Sequence, residues 1–537
     1  MQAGKGPGVQ VKFVGSLAAA AAVFVLAGAC AAAELRPDQA IVGQGALSGA
    51  VEGDVAIFKN IPYAAPPVAE LRWRAPQPAP SWQGVRDATA YGPTCIQTPG
   101  DASSRGPESE DCLTLNIWTP AARAGGKLPV MVWIHGGGFT GGAGSRYNGT
   151  QFAKDGVVLV TINYRLGRFG FFAHPALAKT SPDGELADFG LMDQIAALKW
   201  VKANIAAFGG DPSNVTVFGE SAGAMSVNYL LTSPLARGLF EKAISESGFA
   251  RTMGRPLAAA DGDGVAFADT AGVKGDGPDA AAALRALPVA TLARDPPSMT
   301  ADNMIGPIID GVVAKETVAQ AFARGDQARV PAIFGGNSFE ASLLPDVIKN
   351  PDVVLSRLGD KRAQAVALYG GGDPATAAAN IVTLSQVIEP DRFEAREDAR
   401  RRAPAWVYYF SYLPAVLRPQ VPGAGHGWEI AYVFDRLTKV DIHVPPALRY
   451  GGVALIPAAT PEDEAIAHAM HAYWVAFAKA GYPGSAGGPA WPAVAKDADP
   501  VMEFGVGGPA VRSDFKKLEL DVFTALAAQR AGAVAKP

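Results

Sequence analysis

The sequence predicts an α/β chain: a mostly parallel sheet with helices over both faces. Three observations point there. Short apolar runs rich in β-branched and aromatic residues recur at Leu128 to His135, Val157 to Asn163, Val215 to Phe218 and Trp406 to Tyr412. Stretches of helical spacing alternate with them, as in Ile195, Leu198, Val201 and Ile205. Near-continuous apolar strands alternating with helices are the pattern of strands buried on both faces. Third, the run Val215-Thr216-Val217-Phe218 meets Gly219-Glu220-Ser221-Ala222-Gly223 and then a small-residue helix start. That strand–turn–helix lifts one serine clear of a sheet and leaves no room for side chains two positions either side.

In chain order, residues 41 to 75 alternate Val, Ile and Phe with small or polar residues and read as a meander of short strands. Ile61-Pro62-Tyr63-Ala64-Ala65-Pro66-Pro67 ends it, because prolines at that density cannot feed a ladder. Leu113 to Trp118 is a strand, and Leu128 to His135 is a second that runs into Gly136-Gly137-Gly138-Phe139. Val157 to Asn163 is the third, followed by a helix over Asp193 to Ala207 and then the strand before Ser221. Lys242 to Ser245, Val330 to Phe334 and Trp406 to Tyr412 are later strands. Residues 255 to 300 and 345 to 400 read as inserted helical regions, and Glu462 to Lys479 as an amphipathic helix. After Trp491-Pro492 the pattern weakens.

At 537 residues, 49% apolar and 18% charged, the chain is of globular composition. A net charge of −4 gives no argument for nucleic acid or an anionic membrane surface as partner. Lys5 and Lys12, the apolar stretch Val14 to Ala29 and the small residues Ala29 to Ala33 read as a signal peptide over residues 1 to 33, cleaved near Ala31 or Ala33. Lipidation of Cys30 is the alternative. A single domain over 34 to 537, exported to the periplasm or beyond, is the expectation, with no stable membrane span in the mature chain. Removing or lipidating Cys30 leaves Cys95 and Cys112 as an even pair, which in an exported chain favours a disulfide over two free thiols.

A serine hydroxyl is a poor nucleophile until a base, an orienting acid and oxyanion donors surround it. On a parallel sheet these come from loops after later strands, in the order Ser, acid, His. His135 and His174 precede Ser221, His468 and His471 lie within a helix, and His443 has no glycine-rich approach. His426, in Gly423-Ala424-Gly425-His426-Gly427 after a convincing strand, is the base candidate. Glu340 follows a strand and a Gly-Gly turn, and Asp310 in Ile309-Asp310-Gly311 is its rival; position alone leaves both open. Backbone N–H groups of Gly136 to Gly138 can approach a carbonyl oxygen without Cβ obstruction.

Taken together these blocks resemble the type-B carboxylesterase family of α/β-hydrolases. The shared motifs are Phe58 to Ala64, Ser109-Glu110-Asp111-Cys112-Leu113-Thr114-Leu115-Asn116-Ile117, His135 to Phe139, Gly219 to Gly223, Gly335-Gly336-Asn337-Ser338-Phe339-Glu340, and Gly423 to His426 with Glu429 following. The resemblance implies ester hydrolysis through a Ser221, Glu340, His426 triad, oxyanion donors on Gly137, Gly138 and Ala222, and a Cys95–Cys112 disulfide. No metal or organic cofactor is implied, and the expected partner is a small-molecule ester. Glu220 and Ser247, beside the implied site, have either a supporting polar role or a purely structural one. Asn60 and Ala69 stand where the family usually has glycine, and Ala341 follows the acid where glycine is common, which puts local turn geometry in question. No Trp, Tyr or Phe lies between Ile96 and Asp111, which argues against a choline substrate. A lipase acting on longer chains and a non-catalytic binding module are the other readings.

Overall fold

Period-2 alternation sorts strand side chains to two faces, and the strands of this chain do so around one large sheet. The computed structural model describes residues 36–534 except 98–106, 123–125, 183, 185, 253, 294–304, 419 and 438–458. The expected signal peptide and His443 lie outside the described residues.

The strands are β1 (Gln39–Val42), β2 (Gly45–Ser48), β3 (Ala50–Glu52), β4 (Val55–Pro62), β5 (Val85–Asp87), β6 (Thr114–Pro120), β7 (Leu128–Ile134) and β8 (Val158–Ile162). They continue as β9 (Gly210–Glu220), β10 (Lys242–Glu246), β11 (Arg255–Pro256), β12 (Ile308–Ile309), β13 (Ala332–Asn337), β14 (Ala405–Phe410), β15 (Val501–Gly505) and β16 (Gly508–Arg512). An 11-stranded sheet has the order β16-β15-β14-β13-β10-β9-β7-β8-β6-β4-β3. From β15 to β8 every neighbouring pair is parallel, and the flanking pairs are antiparallel. This is the α/β-hydrolase architecture, a mixed sheet whose parallel centre is covered by helices on both faces.

Strand β14 shows why. Ala405, Val407 and Tyr409 belong to the core on one face, where the helix Glu389–Arg400 lies against the strand, while Trp406 meets Phe477 and Tyr408 meets Trp474 on the other, at ring-centroid distances of 5.8 and 5.4 Å. The second face is an aromatic lattice: Trp133 of β7 and Phe218 of β9 have ring centroids 4.8 Å apart, and both meet Phe434 beyond β14, at 5.1 and 6.2 Å. The strands leading to three separate loops are therefore locked to one another by buried rings, which is what holds those loops in register.

Residues 255 to 300 contain the helices Leu257–Thr270, Pro278–Arg285 and Val289–Leu292; the region after 345 is helical too, and Leu384–Ile388 forms a π-helical turn. Weak patterning after Trp491 conceals β15, β16 and the helix Lys517–Val534. Leu520 of that helix is buried while Leu518, Val522 and Leu526 are exposed, so its apolar residues fall on both sides and mark no single face. Cys95 and Cys112 are bonded to each other. Two of the three turn departures sit in left-handed backbone, Asn60 at φ 57 and Ala69 at φ 51, whereas Ala341 lies buried in the helical turn Glu340–Leu343. Among the described residues no helix is long and apolar enough to cross a membrane.

Candidate active site

Strand β9 delivers Ser221 at its C-terminal end, at φ 58 and ψ −123, a conformation L-residues avoid at a cost of about 1–3 kcal/mol. The neighbours enforce it. Ser221 N–H donates to Glu246 O at 2.9 Å, and Ser221 O accepts from Met225 N at 2.8 Å as the helix Ala222–Thr232 begins. A Cβ on Gly219 would stand 2.5 Å from Ile134 O, and one on Gly223 only 2.0 Å from the same oxygen. Both glycines are thus demanded by close packing of the turn against the end of β7.

The loop after β7 abuts the serine. A Cβ on Gly136 would lie 3.1 Å from Ser221 Cβ and 2.7 Å from Glu220 Oε2. Gly137 and Gly138 adopt φ 108 and φ 61, and Gly137 O accepts from Thr140 N and Gly141 N at 3.1 and 3.0 Å. Among the described residues no group accepts from the N–H of Gly137, Gly138 or Ala222. Of these, the Ala222 N–H opens the helix Ala222–Thr232, where orphan N–H groups favour negative charge.

Glu340 follows β13 and is 2% exposed. His426 lies on the loop after β14, tied to Glu340's loop by Phe339 N to Ala424 O (2.8 Å), Ala424 N to Ser338 Oγ (2.8 Å) and His426 N to Ser342 Oγ (2.9 Å). His426 Nδ1 donates to Glu340 Oε2 at 2.5 Å. Glu340 Oε1 accepts from Ser247 Oγ at 2.6 Å and Asn337 N at 2.7 Å, so both carboxylate oxygens are fixed. Ser247 reaches Glu340 from left-handed backbone, φ 60.

His426 Nε2 stands 2.9 Å from Glu220 Oε1, without the alignment of a hydrogen bond, and among the described residues it makes no bond to Ser221 Oγ. The imidazole is buried between two carboxylates. Burial alone would lower its pKa, but the charges of Glu220 and Glu340 outweigh that and hold it well above the ordinary histidine value.

The rival residues have other employment. Asp310 Oδ1 accepts from Val312, Val313 and Ala314 N–H at 2.9, 2.8 and 3.2 Å, closing its own turn, while His426 Nδ1 is bonded to Glu340. His135 stacks on Tyr164, His174 accepts from Ala176 N at the start of a helix, His468 pairs with Asp435, and His471 bonds Val433 O and Asp155. Reading by motif missed Asn337, Ser342 and Glu246 as contacts of the site. Asn337 lies within the Gly335 to Glu340 block, which was the available signal. Among the described residues no group of three or more His, Cys, Asp or Glu could hold a metal ion.

The chain matches the family model described as "Carboxylesterase family" over residues 38–367 and 372–523. It is 39% identical over 481 residues to the fumonisin B1 esterase of Sphingopyxis macrogoltabida, covering 86% of this chain and 85% of that protein. It is 37% identical over 470 residues to the para-nitrobenzyl esterase of Bacillus subtilis (strain 168), covering 84% and 91%. A solved structure titled PNB esterase superposes with a TM-score of 0.75 at 33% identity, covering 90% of this chain and 100% of that one.

Proposed function

The chain belongs to the carboxylesterase family and is a carboxylic ester hydrolase, and we propose that it works through an acyl-enzyme on Ser221 with His426 as base and Glu340 as orienting acid. The observation that carries this assignment is the 2.5 Å bond from His426 Nδ1 to Glu340 Oε2, made by loops that reach the same edge of the sheet as the strained Ser221 turn.

Neutral Nε2 takes the Ser221 proton as the hydroxyl attacks the ester carbonyl. Glu340 fixes the ring and stabilises the imidazolium that forms, and the N–H groups of Gly137, Gly138 and Ala222 receive the developing oxyanion. The imidazolium then protonates the departing alcohol, and water repeats the sequence to release the acid. For this to begin, Nε2 must turn from Glu220 to Ser221 Oγ while Nδ1 stays bonded to Glu340. Ser221→Ala assayed on para-nitrophenyl acetate should lose several powers of ten in kcat/KM. Turnover at the wild-type rate would refute the assignment.

The substrate is a small-molecule carboxylic ester. Phe249, at φ 49, sets its half-buried ring 5.8 Å from the His426 ring, an apolar wall suited to a bulky or aromatic ester group. The names of the relatives, fumonisin B1 and para-nitrobenzyl esterase, suggest the same breadth. A panel of para-nitrophenyl esters of two to sixteen carbons (roughly), with fumonisin B1 and a para-nitrobenzyl ester beside it, separates an esterase from a lipase that prefers long chains. The basic, apolar and small-residue order of the N-terminus, with the Cys95–Cys112 disulfide, supports export; the mass of the mature secreted chain tests cleavage near Ala31 or Ala33 against lipidation of Cys30.

A further inference from the structure

The loop after β7 is gripped from outside by one side chain that the mechanism does not use. Buried Gln97 donates from Nε2 to Gly142 O at 2.8 Å and accepts at Oε1 from Gly142 N at 3.0 Å. A single amide thus satisfies both backbone groups of one residue, as a neighbouring strand would. Gly142 closes the loop that carries Gly137 and Gly138. It sits at φ 110, and a Cβ there would lie 2.2 Å from His135 Nδ1 and 2.4 Å from Gly136 O. The loop therefore folds back on its own start, with its two ends in contact.

That closure decides where the N–H groups of the loop point. In a trans peptide the N–H is directed opposite to the C=O, and among the described residues no peptide is cis. Gly137 O is held by Thr140 N and Gly141 N at 3.1 and 3.0 Å, so the Gly138 N–H faces the other way, out of the loop. His135 Nδ1 lies 2.8 Å from Gly136 O, which orients the Gly137 N–H in the same manner. Both inner contacts depend on where Gly141 and Gly142 stand, and Gln97 holds Gly142 by its N–H and its C=O together.

Gln97 is itself anchored. Its own N–H donates to Glu108 Oε2 at 3.2 Å, and Cys95, two residues before it, is bonded to Cys112. Asn163, just after β8, donates from Nδ2 to Pro93 O and Cys112 O at 3.2 Å each, while its Oδ1 accepts from Gly144 N at 2.9 Å. The segment around the disulfide is thus tied to the loop at Gly142 and again at Gly144. We propose that Gln97 is a positioning residue for the oxyanion donors: by clamping Gly142 it keeps the Gly137 and Gly138 N–H groups aimed while the ester carbonyl oxygen takes up charge. Such donors act because they need no reorganisation at that moment. Without the clamp, two buried backbone groups lose their partners and the loop relaxes to find others.

The inference rests on the Ser221 mechanism with Gly137 and Gly138 as donors, and the experiment separates the two. Gln97→Met keeps an unbranched side chain of similar length and removes both bonds. Active sites are counted by complete labelling of Ser221 with an organophosphate, and turnover of para-nitrophenyl acetate is expressed per labelled site. kcat per site should fall about ten- to a hundredfold with KM within about threefold, because a loop displaced by about 1 Å costs about a hundredfold and a lost donor more. A trifluoromethyl ketone reads the same donors at equilibrium: Ser221 Oγ bonds to its carbonyl carbon, the proton passes to His426, and the oxygen becomes an anion. Its affinity should fall by about the same factor as kcat/KM. Wild-type kcat per site with a lowered urea midpoint would make Gln97 merely structural and overturn the proposal. Ketone affinity that stays at the wild-type value while kcat falls would overturn it too. Gln97→Ala, whose freed space lets water bond Gly142, is read in the same way and decides the matter should the methionine variant not fold. Retained turnover in Ser221→Ala removes the underlying mechanism; an inactive Ser221→Ala beside a wild-type Gln97→Met removes this inference alone.

Discussion

Replacing Glu220 with glutamine tests the electrostatics of the base most directly. Glu220 Oε1 lies 2.9 Å from His426 Nε2, and glutamine preserves the shape while removing the charge. Coulomb's law at that separation gives about 1.4 kcal/mol in a water-like dielectric and about 6 kcal/mol at an effective dielectric of 20. At 1.36 kcal/mol per pKa unit this spans about one to four units, and measured opposite-charge effects are about one to three. The sign is fixed. Glu220 stabilises the imidazolium, the base is the neutral ring, and loss of Glu220 therefore moves the acid limb of kcat/KM to lower pH by about one to three units. The assay is initial rate on para-nitrophenyl acetate from pH 4.5 to 9 (roughly), with the wild-type acid limb expected above the unperturbed histidine value of about 6.5. The same contact contributes stability that is fully present below the unfolded histidine pKa and is lost as pH rises through the raised folded-state value, so Glu220→Gln destabilises the fold most at acid pH. An acid limb that stays put, or moves upward, would refute the reasoning.

Three further outcomes follow from local geometry. Ala69→Gly relieves a left-handed alanine at φ 51; about 1–2 kcal/mol of backbone strain, offset by about 0.4–1 kcal/mol of unfolded-chain entropy, leaves a gain of about 0–1.6 kcal/mol, centred near 0.8, read as a rise of about 1 °C in the thermal midpoint. Gly223→Ala puts a methyl group 2.0 Å from Ile134 O, so the turn must shift; activity should fall at least about a hundredfold with about 1–3 kcal/mol lost in urea unfolding, and an active, stable variant would show the turn to be soft. Cys95→Ser with Cys112→Ser opens a link between residues 17 apart and should cost about 3 kcal/mol by chain entropy; a wild-type protein insensitive to reductant in the same urea titration would contradict that figure.

What could be read from the sequence was whatever is encoded within a few residues. The glycines at 219 and 223 are demanded by contacts with Ile134 O, and a strand–turn–helix pattern already implies that crowding. Asp310 was open as an acid by position, yet Asp310-Gly311 carries its own answer: an aspartate whose Oδ1 gathers the next N–H groups is a turn former, and Asp-Gly is a turn signal. Asn60 and Ala69, read as departures in turns, fall at positive φ because the chain there needs the conformation whether or not glycine supplies it. The helix Lys517–Val534 was hidden because buried Leu520 is interleaved with exposed Leu518, Val522 and Leu526, and periodicity reports a buried face only where the apolar residues keep to it.

The contacts that tune the chemistry are of a different kind. Glu220 was visible beside the nucleophile, but its approach to Nε2 depends on how far the loop after β14 leans over the end of β9, and no local pattern encodes that distance. Glu246 reaches the site from the end of β10, where its carbonyl accepts from Ser221 N–H, and that contact depends on the pairing of β10 with β9. Motif letters therefore fix which groups react, whereas the strand order fixes the charge under which they react. Two chains with the same triad can differ in the pH range of their activity through a carboxylate placed as Glu220 is, beside the base but outside the bonds that form and break.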